Sequence, residues 1–480
     1  MLSSLHERKP GLLLVWRDPT LSPKNGERMG HGRAACNNLF MKRSDGNALG
    51  IYVSIPFCRS KCTYCNFASG VFPASDHARY VERVIADLAG AGACSERIGA
   101  ELPRRVDTVY LGGGTPSLLA PELVSQLFLG LRAEFDLDAD AEITMECAPG
   151  QLTDATLEAM AAAGVNRVSL GVQSFVDSEA HLSGRLHSRA VVETDLKRLR
   201  AAGITNLNVD LIAGLAGQTF ASWEESLEAL IASEVPHASV YMLEVDEDSR
   251  LGREMLKGGA RYRAGLVPNE DTIARMYERA VERLEAAMLQ QYEISNFCLP
   301  DFYSRHNLRY WLRRPYLGVG LDASSMLLAA GLVSGRDFSR AETEIQSSGA
   351  LAPVSSLALR ATTTDDLQAY LAGTGAMETE WLTPVQQLEE AWFLGLRTNA
   401  GVDEAALHHE FGPELLEPAM ETVRRLAEDG LLVFDGARAR LTARGRLISN
   451  EVFQEFLATG NRDQMSEIGR FVPSPESLSP

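Results

Sequence analysis

Cysteine is scarce in this chain: seven in 480 residues, too few and too scattered to frame a disulfide scaffold. Unpaired thiols at that density point to a reducing compartment. No apolar run approaches the roughly 18 residues of a membrane span, and Gly11–Trp16 is far too short. The N-terminus lacks the apolar core and small-residue cleavage site of a signal peptide. A cytoplasmic protein is the expectation. Positive charge is also in deficit. Lys and Arg number 46 against 64 Asp and Glu, a net charge of −18. That balance lacks the footprint of a nucleic-acid binder. Hydrophobic and charged contents of 45% and 23% are ordinary for a globular protein, and the length predicts two to three domains.

What cysteine there is lies mostly in one place. Cys58, Cys62 and Cys65 follow C-x3-C-x2-C spacing directly after the β-like run Ile51–Ile55. A loop this tight can turn three thiolates toward one centre, and soft thiolates favour zinc, copper(I) or iron–sulfur clusters. Structural zinc takes a closed set of four ligands, usually two separated pairs, and no second pair lies nearby. Iron–sulfur cubanes take four thiolates. Three would leave one iron open to a substrate or cofactor. The bland alternative, three packed core cysteines, fits the spacing poorly. Cys36, Cys94, Cys147 and Cys298 read as structural.

Residues 1–48 show no sustained periodicity and are expected to be poorly ordered, with Met41 a candidate natural start. From residue 50 to about 245, β-branched runs alternate with amphipathic ones. Strands are predicted at Ile51–Ile55, Val106–Leu111, Glu142–Met145, Arg167–Gly171, Asn206–Ile212 and Ser239–Leu243. Helices are predicted at about 76–96, 121–134, 153–163, 189–202 and 220–233. Such alternation means βαβ units and a parallel sheet. The unusual residues all follow strands, as they do at the mouth of a barrel. The cysteines follow the first, Gly112–Pro116 the second, Glu146–Gly150 the third and Gln173–Phe175 the fourth. Asp210 and Gly214–Thr219 end the fifth, and Glu244–Asp246 the sixth. The predicted fold is α/β, a partial (β/α)6 barrel over residues 49–300.

Residues 301–375 are expected to cover the barrel's open side, after a long helix at about 271–289. A C-terminal α+β module at 376–458 resembles a winged helix. Thr383-Pro384 and Gln386 read as N-cap, N1 proline and capping box for a helix to about Leu396. Helices at about 403–410 and 413–428 follow, then a hairpin through Asp435-Gly436 with a type I′ turn, then a helix from about Thr442 to Leu457. A winged shape alone does not assign DNA binding, and the acidic balance favours packing or partner docking. Residues 459–480 read as a tail.

The C-x3-C-x2-C loop after the first strand resembles that of radical S-adenosylmethionine (SAM) enzymes. Tyr52–Phe67, Gly112–Ser117, Arg167–Phe175, Asp210–Thr219 and Tyr292–Trp311 resemble their anaerobic coproporphyrinogen III oxidase-like branch, over about residues 50–455. The resemblance implies a [4Fe–4S] cluster on Cys58, Cys62 and Cys65 whose open iron chelates SAM, which the cluster's electron splits to a 5′-deoxyadenosyl radical. It implies SAM contacts from Gly113, Gly114 and Thr115, a run that by itself would read as a plain tight turn. Tyr52, Tyr64, Glu146, Gln173, Arg185 and Asp210 match further SAM-contact positions, with a salt-bridged barrel rim the plainer reading of the last two.

Two subgroups divide this branch. The oxidases carry a further cysteine where this chain has Phe67; the haem chaperones carry phenylalanine there and a His-Asn-x-x-Tyr-Trp motif, present as His306–Trp311. The resemblance therefore implies a haem chaperone in which His306 contacts haem, an acceptor haem protein of the respiratory kind, and a reductant such as flavodoxin or ferredoxin. Membrane contact, where there is any, would be peripheral and made through the acceptor. The alternative activity is oxidative decarboxylation of coproporphyrinogen III. A histidine bonded within a folded segment is the plainer reading of His306. Two departures stand out: Ser324 replaces a histidine common in the chaperones, and Ala216 a frequent proline.

Overall fold

The computed structural model describes residues 48–247, 249–330 and 357–457. The expected disordered stretch (apart from Ala48), Met41 and the tail lie outside them. Six parallel strands form where alternation places them: β1 (Leu49–Ile55), β2 (Arg105–Gly113), β3 (Asp136–Cys147), β4 (Arg167–Gln173), β5 (Asn206–Ala213) and β6 (His237–Met242). They pair in chain order, each parallel to the next. The main connecting helices are α1 (Ala74–Ile98), α2 (Pro121–Glu134), α3 (Asp154–Ala163), α4 (Arg189–Ala201) and α5 (Phe220–Ala232), with a short helix at Asp177–Leu182 before α4. The caps explain their ends. The Thr153 hydroxyl accepts the Thr156 N–H at the start of α3, and Gly164, at φ 86°, closes it in the left-handed conformation.

Residues alternate along each strand between two environments. Leu207, Val209 and Leu211 of β5 join Val168, Leu170 and Val240 in the apolar core shared with the helices. Asn208 and Asp210 take the opposite face, buried among polar groups. Trp223 of α5 is fully buried, and its indole N–H donates to the Met276 carbonyl at 2.7 Å, tying α5 to the helix Glu270–Ala286.

The sheet runs past the six predicted strands. On one side β7 (Asn296–Cys298) adds antiparallel to β6. On the other, β8 (Tyr316–Val319) adds parallel to β1 as a seventh parallel strand. It is followed by the antiparallel β9 (Ser324–Ala329), β10 (Ala358–Thr362) and β11 (Glu378–Trp381). Among the described residues the two ends of this sheet do not pair with each other, so the barrel is open. No helix among the described residues is long and apolar enough to cross a membrane.

The C-terminal helices are Pro384–Arg397, Glu404–Phe411 and Pro413–Glu428, the first opened by the Thr383/Gln386 capping box. A three-stranded sheet of Val402–Asp403, Arg438–Leu441 and Leu432–Phe434 completes the winged arrangement. Two expectations need correction. The hairpin turn is not type I′: Gly436 has φ 87°, but Asp435 is not left-handed. Instead the Asp435 carboxylate accepts the Ala437 and Arg438 N–H groups at 3.0 and 2.7 Å, stabilising a longer loop. The last helix is two, Ala443–Leu447 and Ser449–Gln454, broken at Ile448 with φ −121°.

Candidate cofactor site at the barrel mouth

The loop after β1 is laced to the loop after β2. The Gly114 and Thr115 N–H groups donate to the Ile55 and Phe57 carbonyls at 2.8 and 2.7 Å. A Cβ on Gly114 would lie 2.7 Å from the Ile55 oxygen and 2.8 Å from that of Phe57. Gly113 sits at φ 99° beside the Tyr52 hydroxyl. The glycines therefore serve the chain's own close backbone packing before any ligand arrives.

Cys62 is buried, and Cys58 and Cys65 are half-buried. Burial raises the Cys58 thiol, with the Ser69 and Thr115 hydroxyls bonding to it in opposition. Burial and the neighbouring Cys62 push Cys65 up to about 11. Ser69 Oγ lies 3.9 Å from Cys65 Sγ, so one hydroxyl serves two thiols. Lys61 Nζ donates to the Phe67 and Ser69 carbonyls at 2.8 and 2.9 Å, closing the loop on itself. On the far side the Thr63 N–H donates to the Ser183 carbonyl at 2.9 Å, and Arg185 donates to the Tyr64 hydroxyl at 3.2 Å. Ser69 and Lys61 escape a reading of motifs, because their roles depend on how the loop closes.

Among the described residues no set of three His, Cys, Asp or Glu side chains is closed into a finished single-ion geometry. In a cubane each thiolate binds its own iron, so the sulfurs need not converge on one point. The donor chemistry fits a cluster: three soft thiols on one loop. The neighbouring groups fit a polar cofactor. Glu146 is fully buried; Tyr110 Oη and the Gly113 N–H donate to its two oxygens at 2.8 and 3.1 Å. Burial raises its carboxyl well above the usual range. Gln173 is fully buried at φ 67°, beside a register shift in the β4–β5 pairing, and neither of its amide atoms has a partner among the described residues. A strained, unsatisfied buried amide is the kind of group a ligand completes.

Deeper inside, the polar faces of the strands form a directed chain. Tyr292 Oη donates to His237 Nε2 (2.9 Å), His237 Nδ1 to Asn208 Oδ1 (2.6 Å), and Asn208 Nδ2 to Asp210 Oδ1 (2.7 Å). Burial keeps His237 neutral, which this tautomer requires. Ser169 Oγ donates to the other Asp210 oxygen at 2.9 Å. The Tyr292 hydroxyl also accepts the N–H of Ser304, the N-cap of the helix Arg305–Trp311, at 3.3 Å. The signal for this chain is the i, i+2 recurrence of polar residues in otherwise apolar strands, Asn208/Asp210 and His237/Ser239.

His306 is fully buried. Its Nδ1 lies 2.9 Å from Thr108 Oγ1 and its Nε2 2.9 Å from Tyr310 Oη, while its backbone N–H donates to Glu142 at 3.0 Å. Both ring nitrogens are thus engaged inside the protein. The helix presents two faces: His306 and Tyr310 meet the barrel strands, whereas Trp311 lies under the Arg397 guanidinium, 4.4 Å from its ring centroid. Ser324 opens β9 with its hydroxyl 3.3 Å from Thr362 Oγ1. It supplies no imidazole.

An open parallel barrel with three cysteines after its first strand and a polar, ligand-ready mouth defines a radical SAM protein. The radical SAM superfamily profile matches residues 52–230, and the HemN C-terminal domain profile residues 382–448. The chain is 31% identical over 406 residues to the haem chaperone HemW of Lactococcus lactis subsp. lactis (strain IL1403), covering 85% of this chain and 96% of that one. It is 31% identical over 407 residues to HemW of Bacillus subtilis (strain 168), covering 85% and 98%. The bovine mitochondrial radical S-adenosyl methionine domain-containing protein 1 is 30% identical over 412 residues, covering 85% and 87%. Coproporphyrinogen III oxidase (HemN) from Escherichia coli superposes with a TM-score of 0.67 at 21% identity, covering 88% and 93%, and shares the fold. The chain belongs to the HemW haem chaperone family of the radical SAM superfamily.

Proposed function

We propose that this chain binds haem in the cytoplasm and passes it to an acceptor haem protein of the respiratory kind, using a [4Fe–4S] cluster and SAM. The observation that carries the reading is the 31% identity along 96% of a relative named a haem chaperone. Phe67, without a thiol where the oxidases have one, supports it against coproporphyrinogen oxidation. Cys58, Cys62 and Cys65 hold the cluster, which supplies an electron and an open coordination site when bound. Glu146 suits the SAM ammonium, Arg185 its carboxylate and Asp210 the ribose hydroxyls, because each pairs a fixed charge or acceptor with the complementary group. Tyr52, Tyr64, Gly113, Gly114, Thr115 and Gln173 complete that site. A low-potential reductant of the flavodoxin or ferredoxin kind supplies the electron.

His306 reaches haem iron only by giving up Tyr310 or Thr108, so its role in this reading is a gated one. Anaerobic titration of haem into cluster-reconstituted protein, followed by absorption spectroscopy, tests both parts. Expected are a saturable haem spectrum and at least tenfold weaker binding by His306→Ala. Unchanged binding by the variant would leave His306 as a structural pillar. No binding by the wild type would sink the chaperone and return coproporphyrinogen III decarboxylation as the activity to assay.

A further inference from the structure

The helix Pro384–Arg397 of the C-terminal module ends on a buried cation that the chain does not pair. Arg397 is 6% exposed, and no hydrogen bond or ion pair reaches its guanidinium among the described residues. A guanidinium carries five N–H donors, and taking it out of water without partners is costly. Arg309 and Arg360, equally buried, are each matched, to Asp107 and to Glu390. The Arg397 side chain is nonetheless fixed in place. The Ile294 N–H donates to its backbone carbonyl at 3.1 Å, and its guanidinium lies over Trp311, 4.4 Å from the ring centroid. Stacking on an aromatic face orients the fork and leaves its N–H groups free for bonds in their own plane.

The residues next to it repeat the pattern. Trp311 Nε1, Asn307 Oδ1 and Glu293 Oε2 are buried and have no hydrogen-bond partner among the described residues. Asn307 and Trp311, four positions apart, share one face of the helix Arg305–Trp311. Unsatisfied buried polar atoms on adjoining residues are what a bound polar group completes. The charged groups around Arg397 are Glu293 and Glu244, with Glu451 beside Glu244 and the cation Arg446 near Tyr277. Neither Glu293 nor Glu244 forms an ion pair with it. Glu293 Oε1 is taken by the Ser295 N–H and the Asn296 amide, and Glu244 accepts from Asn450 at 3.5 Å. Burial raises both carboxyls, which weakens their repulsion of an incoming anion. Glu244 lies just past the end of β6, so Arg397 stands where the C-terminal module meets the barrel mouth.

We propose that Arg397, with the Trp311 indole N–H beside it, is a carboxylate subsite that takes a propionate of the bound porphyrin. The inference rests on the haem reading above and deepens it: the C-terminal module supplies a binding residue as well as packing. A planar fork of donors matches the two oxygens of a carboxylate, and charge assistance makes such bonds strong where water is excluded. The Trp311 ring gives the apolar edge of the macrocycle a flat neighbour. The contact is made at the macrocycle's rim and does not involve the iron, so it operates whether or not His306 is released as a ligand.

The test compares haem with haem dimethyl ester, whose propionates are capped, in anaerobic absorption titrations of full-length, cluster-reconstituted protein. Wild type should bind haem at least tenfold more tightly than the ester, a comparison that needs no variant to fold. Arg397→Gln should lose the preference, binding haem as weakly as the ester while its affinity for the ester stays that of wild type. Iron-free protoporphyrin IX and its dimethyl ester should show the same preference in His306→Ala, read by quenching of tryptophan fluorescence. Equal affinity of wild type for haem and ester would overturn the subsite and leave Arg397 a structural group. A preference that survives in Arg397→Gln would overturn it as well. In both of those outcomes haem still binds, so the haem reading stands; binding of neither ligand by wild type would sink the haem reading and the subsite together.

Discussion

A methyl group on Gly114 would fall 2.7 Å from one backbone carbonyl and 2.8 Å from another, and neither can rotate away as a side chain would. Gly114→Ala should therefore push the glycine loop off the cysteine loop, cost about 1–3 kcal/mol of stability by overpacking, and lower the iron content of reconstituted protein. Urea unfolding and iron analysis read the two effects. Asp210 carries a different cost. Burial lifts its carboxyl from the ordinary 3.8 to about 6, opposed by bonds from Ser169, Ser239 and Asn208. Between those values the unfolded chain loses a proton that the folded chain keeps, so this group's contribution to stability falls as pH rises. The penalty is complete above pH 6 and amounts to about 3 kcal/mol. Wild type should lose that much relative to Asp210→Asn between pH 4 and pH 7.5 in urea unfolding; parallel curves would refute the assignment.

At the scale of elements, the helix Arg305–Trp311 is tied at its N-cap, Ser304, to the Tyr292 end of the buried chain that reaches Asp210. Tyr292→Phe removes the hydroxyl that donates to His237 and accepts from Ser304. Two buried polar atoms lose a partner, so about 1–3 kcal/mol should be lost. The more specific expectation is local: amides of 304–311 should exchange faster with deuterium while those of α2 keep their protection. Loss spread evenly over the barrel would mean the hydroxyl merely stabilises the whole. The same chain explains why β5 and β6 carry asparagine, aspartate, histidine and serine at alternating positions. Those residues face inward and satisfy one another, so the strands can be polar inside and apolar beneath the helices.

Across the whole molecule, the C-terminal helices share one apolar core with the helix Arg305–Trp311 and with β8, β9 and β10, through Trp392, Tyr310, Trp311, Tyr316, Met326 and Ala358. The backbone reinforces this: the Asn399 N–H donates to the Tyr292 carbonyl at 2.9 Å, and the Ile294 N–H to that of Arg397 at 3.1 Å. Arg397 is buried over Trp311 and beside Glu293, whose carboxyl burial raises despite the guanidinium. Arg397→Met should cost about 1–3 kcal/mol, because it removes a buried guanidinium packed on Trp311 and its attraction to Glu293. Adding Glu293→Gln should recover part of that loss; an additive double mutant would show that the two do not interact. Thermal melts of the four proteins close the cycle.

What could be read without coordinates was local in sequence. Three thiols within eight residues, the caps at Thr153 and Thr383, and the alternation of strand and helix each depend on neighbours a few positions away. They were enough for the barrel and the family. What tertiary structure decided was long-range. The seventh parallel strand, Tyr316–Val319, is four residues long and owes its place to pairing with β1, more than 250 positions earlier. Two of the partners of His306 are distant as well: Thr108 is 198 residues away and Glu142 164, while Tyr310 is four away in the same motif. Periodicity reports which face of an element is buried, but not what it is buried against. A histidine that reads as a ligand in a short motif can therefore have both ring nitrogens engaged inside the fold.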